Sequence, residues 1–153
     1  TLIDQYDGTI LEPTQQPGTG AWSVLSSLQY SVSGLLPDVS WTASLSQEVT
    51  TASAQEYRFG NESIATLGAS RPLGTVLSAS LQAKMFYKAR STYRGADVDS
   101  TGTTVAYLTP GLRVRGPSRV GAYAFFQVPV YRYVHETQLA PRYGWLVGIN
   151  RSF

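Results

Sequence analysis

The sequence predicts an all-β fold, an antiparallel transmembrane β-barrel or the C-terminal portion of a larger one. Three observations lead there. Apolar residues recur with period two rather than 3.6, over seven stretches of about eleven to sixteen residues, where soluble strands average about five or six. The alternate positions carry Ser, Thr, Gln, Gly and Tyr rather than Lys and Glu: charged residues are only 14 % of the chain, against roughly 25 % in ordinary soluble domains. The connections alternate between tight turns and longer polar loops, as membrane barrels do.

Taken in order, Trp22, Val24, Leu28, Tyr30 and Val32 share one face of the first stretch, with Ser23, Ser27, Gln29 and Ser31 on the other. Residues 39–49 set Val39, Trp41, Ala43, Leu45 and Val49 against Ser40, Thr42, Ser44, Ser46 and Glu48. Residues 56–70 set Tyr57, Phe59, Ala65, Leu67 and Ala69 against Glu56, Arg58, Glu62, Thr66 and Ser70. The clearest alternation runs Leu77, Ala79, Leu81, Ala83, Met85, Tyr87 against Ser78, Ser80, Gln82, Lys84, Phe86, Lys88. Residues 104–115 place Ala106, Leu108, Leu112 and Val114 opposite Tyr107, Thr109, Arg113 and Arg115, and Pro110 removes one ladder donor. Residues 119–134 place Val120 to Val130 (even positions) opposite Gly121, Tyr123, Phe125, Gln127, Tyr131 and Tyr133. The last stretch sets Tyr143, Trp145, Val147, Ile149 and Phe153 against Arg142, Gly144, Gly148, Asn150 and Ser152. Turns at 34–38, 71–74 and 116–118 carry the expected Gly and Pro, while 50–55, 89–103 and 135–138 are the polar loops. A soluble sandwich or lipocalin-like barrel shares the alternation but would carry shorter strands and a more ionic surface.

Other classes are excluded or disfavoured. Without cysteine there is no disulfide framework, thiolate metal site or cysteine nucleophile. A net charge of +2 with no basic helix argues against nucleic acid. His135 is the single histidine and is expected to be a solvated loop residue. Asp97 and Asp99 could resemble half of a calcium loop, but its distal Glu is missing; no metal, no cofactor and no catalysis are expected.

The alternation ending in Phe153 resembles the terminal strand of Gram-negative outer-membrane barrels, which the barrel-assembly machinery recognises in that class. Residues 56–153, through YRFGNESIATLGASRPLG, STG…YLTPGLRVR and QVPVYRYVHETQLAPRYGWLVGINRSF, resemble the C-terminal part of poorly characterised outer-membrane proteins, some of them loosely termed phenol-degradation-pathway transporters. The resemblance implies the bacterial outer membrane as location. It implies Tyr143, Trp145 and Phe153 as assembly signal, and lipid, the assembly machinery and further envelope proteins or barrel strands as partners.

Residues 1–19 are expected to be an N-terminal segment with an external loop, and 20–153 the barrel strands. A chain opening on Thr1 reads as processed or partial; it is either an eight-stranded barrel with an indistinct first strand or a piece of a larger one. The expected lumen face carries Arg58, Lys84, Lys88, Arg113, Arg115 and Arg142 against Glu48, Glu56 and Glu62, with Tyr123, Tyr131 and Tyr133 as lumen aromatics. In a narrow barrel these ions pair into a plug; in a wide one they line an anion-favouring route. The expected function is a passive outer-membrane channel or channel-like component for small solutes, the alternative a structural barrel that scaffolds a partner complex.

Overall fold

The computed structural model describes residues 20–116, 119–135 and 142–151. Ten strands are present: β1 (Ser23–Leu36), β2 (Val39–Thr50), β3 (Tyr57–Arg58), β4 (Glu62–Pro72), β5 (Leu77–Lys88), β6 (Thr92–Tyr93), β7 (Ala96–Asp97), β8 (Thr103–Arg115), β9 (Val120–Val134) and β10 (Gly144–Arg151). Seven long strands form one antiparallel sheet in the order β1-β2-β4-β5-β8-β9-β10, and the three short ones pair as β3-β6-β7. Each of the seven sequence stretches thus supplies one long strand, joined to its neighbour in the chain as a meander.

The register follows from the alternation. One continuous row of directly opposed residues runs Tyr30, Ala43, Leu67, Ala83, Leu108, Val128, and the next runs Val32, Trp41, Ala69, Leu81. A slip of one residue anywhere would send a strand's apolar set to the opposite face, so period-two patterning pins every pairing.

Burial runs opposite to polarity. In β9 the apolar positions Val120, Ala122, Ala124, Phe126 and Val128 are exposed, whereas Gly121, Tyr123, Phe125 and Gln127 between them are half-buried. The apolar face is largely open, with Leu28 and Trp145 each 73 % and Ile149 79 % exposed, while Val39, Trp41 and Ala43 on β2 are half-buried. Among the described residues, only Tyr57 and Val105 are buried hydrophobic side chains. The accessible surface of 11140 Å² is well above the roughly 7,600 Å² that size scaling gives a folded monomer of this mass.

The two ends of the sheet differ as the connection lengths imply. At one end lie the tight links between β1 and β2, β4 and β5, and β8 and β9. The first is Pro37-Asp38, with Asp38 in the left-handed region at φ 59°. At the other end, residues 51–61 and 89–102 are not featureless loops. They build the β3-β6-β7 sheet, whose hairpin turns on Arg94 and Gly95 with φ of 50° and 80°, the type I′ pattern that suits strand twist.

The described strands are all-β and antiparallel, as expected, and form an open sheet with β1 and β10 as its edges. Two expectations are corrected. The stretch 56–70 is interrupted, with Tyr57 and Arg58 in the small sheet and the long strand beginning at Glu62. The break comes at Gly60, where a Cβ would collide with the Ala89 carbonyl, and Asn61, whose Oδ1 accepts the Thr50 N–H at 3.1 Å. Finally, Tyr131 and Tyr133 lie on the apolar face. Tyr107 opposes Pro129 but Ala106 opposes Tyr131, leaving Val130 as a bulge residue. Pro129 has no N–H to give the ladder, and the register shifts directly after it, turning the next residues over.

This bulge is testable by cross-linking in a chain without native cysteine. Under oxidation Thr104→Cys with Tyr133→Cys should couple readily, because these residues are directly opposed. Thr103→Cys with Tyr133→Cys would couple instead if the ladder ran straight.

Candidate functional site on the concave face

Residues of six strands, from Ser40 and Thr42 on β2 to Gly144 and Leu146 on β10, line a single recess of about 630 Å³. The polar face is therefore the concave one. Thr42, Gln82, Lys84, Thr109, Arg113 and Gln127 supply its hydrogen-bonding groups, and Phe125 its aromatic surface.

Charges on this face are distributed along the strands. Near the long-loop end Glu48, Glu62 and Lys88 occupy one row, with Glu62 opposite both of the others. Lys88 Nζ donates to Glu62 Oε1 at 2.6 Å, with both side chains about a third exposed. Such a pair contributes at most about 1 kcal/mol; its main effect is to offset the repulsion between two opposed carboxylates. Mid-sheet, Lys84 faces its cross-strand neighbour Tyr107 with Nζ 5.1 Å from the ring centroid, a cation–π contact. Arg113 and Arg115 stand near the tight-turn end of β8, and among the described residues no carboxylate pairs with either.

Other residues expected here lie elsewhere. Arg58 is in β3, where its Nε donates to the Thr50 carbonyl at 2.8 Å. Glu56 is paired at 3.5 Å with the exposed Arg94. Arg142 precedes β10 and is exposed. Tyr143 and Trp145 stand on the convex face, where Trp145 opposes Phe126 and Tyr143 packs 6.1 Å from it. Phe153 lies outside the described residues.

Two aromatic residues fill the concave face through a relation that the sequence order conceals. Gly111 opposes Phe125, and Gly148 opposes Tyr123. A Cβ on either glycine would meet the ring of its partner. Each ring therefore lies flat over a neighbouring strand that has no side chain there, and the two rings sit 5.6 Å apart. Tyr123 was legible as a concave aromatic; Phe125 over Gly111 required the register.

The long-loop end is internally neutralised. Arg90 lies 3.5 Å from both Asp97 and Asp99, so these carboxylates serve a cation of the chain itself. No cluster of metal-ligating side chains occurs among the described residues. His135 is half-buried rather than freely solvated, its N–H donating to Gly102 O at 3.4 Å and its ring edge-on to Tyr133 at 5.0 Å.

The glycine–aromatic relation yields a measurable coupling. Gly148→Ala should destabilise the fold by about 1–3 kcal/mol through overpacking. The same change in a Tyr123→Ala background should cost clearly less, as a double-mutant unfolding cycle would show. No protein family, curated relative or solved structure matches the chain in sequence or fold comparisons.

Proposed function

We propose that the seven strands are a section of an outer-membrane β-barrel and that their concave face lines a passive route for small solutes. The observation that carries this reading is the inverted burial: a polar concave face that is part-shielded on β4, β5, β8 and β9, behind an apolar face with exposed large side chains on all seven strands. In water that surface far exceeds the few hundred Å² a monomer ordinarily exposes. Against hydrocarbon it is the favourable arrangement.

The limits of the apolar face support the same reading. Toward the long-loop end a row of Ser26, Gln47, Ser63, Tyr87, Thr104 and Tyr133 crosses it, with the Val24–Val49 pair beyond that row on β1 and β2. Toward the other end it finishes at Arg71 on β4 and Arg151 on β10, positions where long cationic side chains reach headgroups. From Ser63 to Arg71 the strand climbs roughly 27 Å, close to the ~25 Å apolar band of such barrels once modest tilt is allowed. Tyr87, Tyr131 and Tyr133 then form part of an interfacial girdle, a role that replaces the lumen position first expected for the last two.

Topology constrains closure. β1 and β10 run in the same sense, since both descend from the long-loop end. Closing the sheet with antiparallel pairs throughout requires an odd number of strands between these edges. The charge pattern favours a route over a plug: Lys84, Arg113 and Arg115 on the concave face have no carboxylate partner among the described residues, while Lys88 pairs with Glu62. In this reading the chain performs no catalysis, inserts through the barrel-assembly machinery, and keeps its long loops outside the cell.

The protein should require detergent and migrate as a heat-modifiable species. Full solubility as a monodisperse protein in plain buffer would remove the membrane reading. Leu81→Arg, on the convex face, should cost about 2–4 kcal/mol if that face meets lipid, while Gln82→Arg one residue away should be tolerated. On intact cells an impermeant thiol reagent should label Asp97→Cys and spare Thr75→Cys; the reverse pattern would invert the orientation. Planar bilayers should show steady conductance, and its absence from a folded, heat-modifiable species would leave the scaffold reading ahead.

A further inference from the structure

The tight-turn end of the concave face holds a feature distinct from the central recess. Arg115 on β8 opposes Gly121 on β9, which in turn opposes Asn150 on β10. The middle residue of this row has no side chain, so it leaves a gap flanked by a guanidinium and an amide. Asn150 leans over the gap: a Cβ on Gly121 would stand 2.7 Å from its Oδ1. With Arg113, Arg119, Val114 and Val120 these residues enclose a notch of about 310 Å³.

Its electrostatics are one-sided. The carboxylates Glu48, Glu56, Glu62, Asp97 and Asp99 all belong to the opposite end of the sheet. Among the described residues Asp38 is the one carboxylate at the tight-turn end. It sits in the β1–β2 link, on the far side of β2, β4 and β5 from the notch. No ion pair among the described residues engages Arg113, Arg115 or Arg119. Three guanidiniums on adjoining positions repel one another unless an anion is shared between them. Planar guanidinium forks match the paired oxygens of carboxylate and phosphate groups, and the Asn150 amide can add a further N–H donor.

We propose that this notch is a binding site for the carboxylate or phosphate group of a small anionic solute, making it a selectivity station on the route described above. The inference rests on that reading only in supposing that the concave face is wet. Arg113 and Arg115 supply the paired donors, the Asn150 amide turned to present its Nδ2–H₂ adds another, and the missing side chain of Gly121 provides room. The occupant is a dissolved anion rather than a lipid headgroup, because the row lies on the face opposite the apolar one.

The test is calorimetric titration of the detergent-folded protein with inorganic phosphate at low ionic strength, with heat-modifiable migration checked for every variant. Wild-type protein should bind saturably with a Kd of about 1 mM or tighter. Arg115→Gln should weaken binding at least about tenfold, equivalent to about 1.4 kcal/mol. Gly121→Ala should weaken it comparably by filling the gap without altering charge, and Arg142→Gln at the other end should leave it unchanged. No saturable binding by the wild type would overturn the proposal whatever the variants do. So would equal losses in Arg115→Gln and Arg142→Gln, which would mean diffuse charge attraction only. Displacement of phosphate by anionic phospholipid added to the micelles would reassign the notch to headgroups and likewise overturn it. Phosphate binding without conductance would retain the notch and remove the channel; conductance without phosphate binding would do the opposite.

Discussion

Interstrand backbone hydrogen bonding holds this chain together, because there is almost no side-chain core to do so. A soluble domain with two buried apolar residues among those described would lack most of the hydrophobic stabilisation that offsets chain entropy. Here the ladder is nearly continuous from β1 to β10, and the side chains serve chiefly to fix its register. That inverts the usual hierarchy, in which packing stabilises and hydrogen bonds specify. It also explains why apolar patterning is so regular. With few buried side chains to penalise a misplaced one, the contrast between the apolar and the polar face is what distinguishes one register from the next.

From the same constraint comes the division of chemistry along the strands. Long-loop residues can fold back on themselves, and they do: Arg90 with Asp97 and Asp99, Arg94 with Glu56, and Arg58 on the Thr50 carbonyl satisfy one another locally. The tight turns have no spare length for such partners. At that end Arg113, Arg115 and Arg119 have no carboxylate partner among the described residues.

The seven long strands, their apolar faces and the contrast in connection length were legible in the sequence because each depends on local patterning, whereas the short β3, β6 and β7 were not. Leu77 to Lys88 and Val39 to Thr50 could be read residue by residue. What was not legible depends on pairs. Tyr131 and Tyr133 keep the alternation of their own strand, and only the ladder with β8 reveals that Val130 is surplus. Tyr57 and Arg58 continue the period of the strand that follows, yet Gly60 must approach the Ala89 carbonyl too closely for the strand to run on. Among the candidate site residues, Glu48, Lys84, Lys88, Arg113 and Tyr123 could be assigned a face from spacing alone. The gap at Gly121 and the rings over Gly111 and Gly148 are relations between distant segments, invisible until register is known.

The pairing of large rings with glycines has a geometrical outcome for the wall as a whole. Gly111 and Gly148 remove bulk from the inner surface in β8 and β10, and β9 between them carries the rings that lie across the vacated positions. The space given up by the two glycines is thus taken by rings from the strand between them, so bulk is moved along the face rather than removed from it. The β1–β2 sector has Ser27, Gln29 and Ser31 facing Ser46, Ser44 and Thr42, an unbroken layer of similar small groups. The polar face is therefore divided across the sheet, with arginines and aromatic rings gathered on β8 to β10 and small hydroxyl and amide groups spread along β1 and β2.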